Sequence, residues 1–283
     1  MTGVLPFGSL AGMNNNLAQG SDPAFCAGMT EADYRKAIGL SQSSLKIFSK
    51  SPAHYLASTE EQNEPTDAMI LGSVFHAIVL QPDEAKNLYA VKQKVDGRSK
   101  EGKAYNEQFA IENAGKFIIN SEQEAQLLAM KASLLSHPKA HRLLADSNYR
   151  ELPVFGTYPT PYGDVRLKGL IDAYDSVNGY INDIKTCEDA SPEGFRKAIW
   201  DRRYDFQDVQ YGWLLQNASK PVNQFNFICV EKKPPFAVAV YSISAESLLK
   251  SAGRWEDLVI EFGACTSSGI WKAYSDEVIE LSL

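Results

Sequence analysis

The stretch that decides the fold runs from Arg150 to Thr186, RELPVFGTYPTPYGDVRLKGLIDAYDSVNGYINDIKT. Its Val, Phe, Tyr and Ile come in short runs, broken at Pro161-Tyr162-Gly163 and again at Val177-Asn178-Gly179. Such residues favour strands, and Asn-Gly suits a tight hairpin because both residues tolerate the left-handed backbone the turn requires. The spacing predicts three antiparallel strands, about 150–158, 164–175 and 180–187. The third carries Asp183 and Lys185 in its middle. Alternate residues of a strand share a face, so Asp183 and Lys185 point the same way beside Ile181, and Asn182, Ile184 and Thr186 point the other. Counting back through Asn178-Gly179 brings Asp172 opposite the region of Asp183 and Lys185. Two carboxylates and an ammonium therefore converge across one hairpin.

Neighbouring carboxylates repel unless a cation joins them. Hard oxygen ligands suit Mg²⁺, with Mn²⁺ able to substitute, and such ions also bind phosphate oxygens. A lysine beside such a site can orient or deprotonate an attacking water and stabilise charge on the phosphate. An Asp and a Lys two apart on a strand are by themselves usually a solvated ion pair. The hairpin and the second Asp favour a site.

Around this meander the texture is helical. LSQSSLKIFSKSPAHYLAS opens on capping-type serines, DAMILGSVFHAIVLQ reads as an apolar helix from Asp67 to Pro82, and helices are expected at about 104–113, 121–136 and 138–146. The basic stretch Lys86–Lys103 reads as a surface loop. After the meander come a helix from Pro192, another across FQDVQYGWLLQNA, two strands (FNFICVEK and AVAVYSIS) and a long amphipathic helix. This order predicts an α+β or mixed α/β fold with a central sheet flanked by helices, not a doubly wound series. Residues 1–28 read as a flexible arm and 29–283 as a single domain.

The net charge of −7 argues against coating nucleic acid by bulk charge, yet leaves room for a local basic channel. Cys26, Cys187, Cys229 and Cys265 form no C-x-x-C pair, which disfavours zinc ribbons, clustered iron–sulfur ligands and a secreted disulfide framework. They read as buried thiols of a cytoplasmic protein. No run approaches the roughly 18 apolar residues of a membrane span, and the first residues lack the pattern of a signal peptide.

Two helical pairs add to the constellation. Gly72 and His76 share a face, where Gly72 admits a close backbone and His76 can serve as ligand or phosphate contact; a lone His on such a helix is more often a core residue. Gln207 and Tyr211 are likewise four apart and can support the site or reach nucleic acid, though alone they read as helix packing. After the candidate strand, Arg196, Lys197, Arg202 and Arg203 lie beside Trp200 and Tyr204, a mixture of cations for phosphates and rings for bases. Lys92, Lys94, Arg98 and Lys100 form a second candidate contact. Each set reads equally as solvated surface.

Gly72-x-x-x-His76, Asp172, Asp183-x-Lys185 and Gln207-x-x-x-Tyr211, in that order, resemble the PD-(D/E)XK nuclease superfamily in its RecB/RecE-like branch. The helix at LSQSSLKIFSKSPAHYL and the tail WKAYSDEVIELSL are similar to that branch too, and RecE-type exonuclease domains are the nearest likeness, over about 40–283. Ile171 stands before Asp172 where the motif name has Pro. The resemblance implies a restriction-endonuclease-like core, with His76, Asp172, Asp183 and the Ile184 carbonyl as metal ligands. It implies Lys185 as the catalytic lysine, Gln207 and Tyr211 as the supporting motif, and Glu151 as an additional acid. It further implies Mg²⁺-dependent 5′→3′ digestion of one strand of linear duplex DNA, a tetrameric ring around that DNA, and a RecT-like annealing protein loaded on the 3′ overhang. The alternatives are a RecB-like single-strand nuclease and an inactive DNA-binding or interaction module of the same fold.

Overall fold

The computed structural model describes residues 25–60 and 64–280. Most of the expected N-terminal arm therefore lies outside the described residues. Its last residues belong to the fold: Phe25 bridges to Val154, and the Cys26 N–H donates to the Pro153 carbonyl at 3.0 Å. The ring of Phe25 also meets that of Tyr149 edge-on at 4.9 Å.

The first half is mostly helical: α1 (Glu31–Lys36), α2 (Gln42–Phe48), α3 (Pro52–Glu60), α4 (Asp67–Leu80), α5 (Ala85–Leu88), β1 (Tyr89–Lys92), α6 (Lys100–Glu112), β2 (Phe117–Asn120), α7 (Ser121–Ser136) and α8 (Pro138–Asp146). The second half carries the sheet: β3 (Tyr149–Thr160), β4 (Gly163–Asp175), β5 (Tyr180–Cys187), α9 (Pro192–Arg202), α10 (Tyr204–Asn217), β6 (Gln224–Glu231), β7 (Val238–Tyr241) and α11 (Ala245–Ser268). Side chains of Ser41, Thr66, Ser99, Asn120, Ser191 and Ser244 accept first-turn N–H groups, so the capping signals set these helix starts. The stretch Lys86–Lys103 is the loop expected only over 93–99. It holds β1, which pairs in parallel with β2, Tyr89 opposite Phe117. So short a strand shows no periodicity of its own and is specified by its distant partner.

The five-stranded sheet has the order β3-β4-β5-β6-β7, antiparallel except between β5 and β6. Gly179 turns the β4–β5 hairpin at φ +67°, and the Asp175 carboxylate accepts the N–H groups of Val177 and Asn178. Helices cover both faces. Tyr174, Ile181, Phe225 and Phe227 pack with Phe48, Leu214 and Val259 of α2, α10 and α11. Ala173, Ile184, Ile228 and Val230 pack with Phe75, Leu134 and Leu143 of α4, α7 and α8. Burying each such side chain contributes about 1.5–3 kcal/mol, so both layers grip the sheet. This is the mixed α/β architecture expected from the sequence. No helix among the described residues is long and apolar enough to cross a membrane.

Candidate active site

The site forms where the β4–β5 hairpin splits. β5 pairs with β6 from Tyr180 to Cys187, but with β4 only through Ala173↔Asn182, Tyr174↔Ile181 and Asp175↔Tyr180. Continued by one step, that register sets Asp172 opposite Asp183. Instead of a ladder bond, the Ile184 N–H donates to the Asp172 carboxylate at 2.8 Å. The β3–β4 ladder likewise pairs Arg150↔Ala173 and Leu152↔Ile171 and omits Glu151 and Asp172 between them. Glu151 has φ +44°, a left-handed backbone that costs a non-glycine residue energy and interrupts the ladder. Three acids, Glu151, Asp172 and Asp183, thus stand in a row across three strands, and the opening lets side chains from both helical layers reach them.

From α10 comes Gln207. Its amide Nε2 donates to Asp183 Oδ1 at 2.6 Å and its Oε1 accepts from Lys185 Nζ at 2.9 Å. One amide, with its donor and acceptor correctly placed, fixes both residues. The Lys185 ammonium also lies 2.6 Å from Asp183 Oδ2 and 4.5 Å above the ring of Tyr204. The Oδ2 contact is an ion pair, and the ammonium is that buried oxygen's partner. Burial pushes the Asp183 carboxyl up to about 6, against the pull of Lys185. For Lys185, burial is the largest effect and acts downward, but Asp183, Tyr204 and Asp172 together overcome it and hold the ammonium up at about 12.

From α4, on the other layer, comes His76, whose Nδ1 is 3.5 Å from Asp172 Oδ2. His76, Glu151 and Asp172 each offer a ligand atom within 4.8 Å of the others. Burial, then the charges of Asp172, Glu31 and Asp183, push the Glu151 carboxyl up to about 9, with Arg35 opposing. Without a cation the row is over-acidic. Carboxylate oxygens plus one imidazole, gathered within 4.8 Å of one another, fit a hard divalent cation. Asp183 stands outside the tight trio, turned toward Lys185 and Gln207, so the two expected ligand acids face different neighbours.

Tyr211 is buried one turn beyond Gln207, against Gly169 of β4, where an added Cβ would meet the ring at 2.7 Å. Its phenol is held well above its usual range by burial first, then by Tyr34, Asp183 and Asp172. Gly72 does not act as expected: a Cβ there would meet open space, so the face it shares with His76 is roomy rather than tightly packed. Arg196, Lys197, Trp200 and Arg202 are exposed on α9. Arg203 is not a free cation. It is buried, takes φ +55°, grips Asp205 through bonds of 2.7 and 3.0 Å and lies 3.5 Å over Phe206. Lys94, Arg98 and Lys100 are exposed near the β1–α6 turn. The charges of Glu31 and Arg35 on α1 reach Glu151, which nothing in their local pattern signals. Tyr204 faces Lys185, although its place among the cations of α9 suggested a base contact.

A family model described as a PDDEXK-like domain of unknown function (DUF3799) matches residues 41–280. Among solved structures, a Eubacterium rectale protein named "Putative exonuclease" matches with a TM-score of 0.58 at 14% identity, over 91% of this chain and 97% of that one. A phage related exonuclease from Haemophilus somnus matches with a TM-score of 0.34 at 12% identity, over 84% and 99%. No curated protein matches the chain. The first structural likeness agrees in fold with the sheet and helical layers described above.

Proposed function

Since the chain belongs to the PDDEXK-like domain family, we propose that it is a metal-dependent exodeoxyribonuclease. The observation that carries this is the split hairpin, where Glu151, Asp172 and Asp183 stand in a row beside an ammonium held by Gln207 and Asp183. His76, Glu151 and Asp172 would hold Mg²⁺, with Asp183 and the Ile184 carbonyl as further ligands. When bound, the cation supplies Lewis-acid charge for the phosphoryl oxygens and makes water more acidic.

The chain's own residues do the rest. Lys185, whose ammonium is held up by the acids beside it, can work as a donor and a positive charge. It can stabilise the charge that gathers on phosphate as water attacks in line. Gln207 and the ring of Tyr204 limit where that ammonium sits. Asp172 fixes the backbone of Ile184, and with it the edge of β5 on which Asp183 and Lys185 ride. The room over Gly72 leaves space for substrate beside His76.

The finer reading rests on the likeness to RecE-type domains. It is 5′→3′ digestion of one strand of linear duplex DNA, within a tetrameric ring, leaving 3′ overhangs for an annealing protein. The test is linear duplex labelled at the 5′ or the 3′ end, incubated with Mg²⁺, with EDTA, and with the Lys185→Ala protein. Early release of 5′-labelled mononucleotide, only with Mg²⁺ and Lys185, supports the whole reading. Early release of the 3′ label, a preference for single strands or cutting of closed circles keeps the nuclease and rejects the polarity or mode. No cleavage in any condition leaves a DNA-binding module.

A further inference from the structure

On the layer that carries α2 and α3, a groove of about 490 Å³ opens between those helices and the end of α9. Lys46, Lys50 and His54 line one side, and Asp201 and Arg203 the other. Lys46 is half-buried, and its ammonium is pushed down by burial and then by the charge of Arg202 close by. Among the described residues no carboxylate pairs with Lys46, Lys50 or Arg202. In a chain of net charge −7, cations gathered without partners disfavour one another until an anion joins them. Arg203 is already committed to Asp205, so it shapes the groove without supplying free charge.

The groove adjoins the active site. The next residue after Arg203 is Tyr204, whose ring lies 4.5 Å from the Lys185 ammonium. Gln42 of α2 donates to the carbonyls of Arg202 and Arg203 at 3.1 and 2.7 Å, tying the lysine-bearing helix to this corner. Trp200, one turn back on α9, is 58% exposed and offers a ring face at the same end. We propose that this groove binds the phosphodiester backbone of a nucleic-acid strand that runs to or from Lys185, with Lys46 and Lys50 in the groove as its phosphate contacts and the exposed Arg202 adding charge from outside the lining. The destination of the strand rests on the nuclease reading; the binding itself does not.

Fluorescence anisotropy in EDTA, where cleavage is blocked, tests this with a labelled 20-nucleotide single strand and the matching duplex. Three full-length proteins are compared: wild type, the pair Lys46→Glu with Lys50→Glu, and a charge-matched pair on the opposite helical layer, Lys86→Glu with Lys139→Glu. The groove pair should bind at least about ten-fold more weakly. Its salt slope should flatten by about 1.4, since each single-strand phosphate contact adds about 0.7. The opposite-layer pair should bind like wild type. The arm with the larger loss identifies the strand type the groove holds. Should the glutamates lower the melting temperature, Lys46→Gln with Lys50→Gln decides instead. Equal binding by groove variants and wild type, no binding by wild type, or equal competition by polyglutamate would overturn the proposal. Mg²⁺-dependent cleavage by wild type is scored separately. Cleavage without a groove effect sinks the groove alone, whereas a groove effect without cleavage sinks the nuclease reading alone.

Discussion

Gln207→Leu removes the amide that fastens Asp183 to Lys185 while keeping a side chain of similar size. Two hydrogen bonds vanish, at 2.6 and 2.9 Å, each to a charged group. Bonds to charged groups contribute about 1.5–3 kcal/mol each, so a naive loss is about 3–6 kcal/mol. The Asp183 side has an escape that limits it. Its carboxyl is already pushed up to about 6, so taking a proton at pH 7 costs only about 1.4 kcal/mol. With the Asp183 side held to about 1.4 kcal/mol and the Lys185 bond at about 1.5–3, the expected loss at pH 7 is about 3–4 kcal/mol, or about 5–8 °C in melting temperature for a chain of this size. As pH falls through the raised range of Asp183 the wild-type carboxyl takes up a proton and makes a weaker bond, so the gap should narrow from pH 7 to pH 5. Thermal melts in EDTA at both pH values read this directly. The loosened ammonium should also slow cleavage at least about ten-fold. A variant that melts within about 1 °C of wild type at pH 7 and cleaves normally would refute the claim that Gln207 holds the pair.

Three further outcomes are expected. Lys185→Ala should lower the cleavage rate by about 10²–10⁴, read under single-turnover conditions, because the charge it provides acts in the transition state. Glu151 is raised from 4.5 to about 9, so the native state keeps a proton that the unfolded chain releases. Stability of the cation-free protein should therefore fall as pH rises through that window, Glu151→Gln should flatten the trend, and Mg²⁺, which favours ionised carboxylates, should oppose it; melts across pH in EDTA and in Mg²⁺ check all three. Tyr204→Leu removes a cation–π contact of about 0.5–2 kcal/mol and should slow cleavage by about 2- to 30-fold. Tyr204→Phe keeps the ring face and should restore the rate; equal rates for both variants would remove Tyr204 from the positioning of Lys185.

The meander, its turns and the facing of Asp183 with Lys185 were legible locally, because period-two alternation and Asn178-Gly179 act within a few residues. The capped helices were legible for the same reason. What the local pattern left undecided follows from contacts between distant segments. β1 exists through β2, and Lys86–Lys103 alone reads as loop. Glu151 and Asp172 leave the β3–β4 ladder while Asp172 captures the Ile184 N–H, so the hairpin opens at the acids. Hairpin counting can place residues opposite one another, but it cannot say that their ladder bonds are absent. The side chains entering that opening come from opposite layers, His76 from α4 and Gln207 from α10, and only packing on both faces brings them together. Arg203 and Tyr204, read from sequence as part of a basic aromatic patch, were reassigned by the bend between α9 and α10, which buries one against Asp205 and lays the other against Lys185. Sequence alone determined which residue types were available and which face of a strand they shared. Tertiary structure decided which charges meet, because interactions between charges depend on distance and burial, and both are properties of the folded chain.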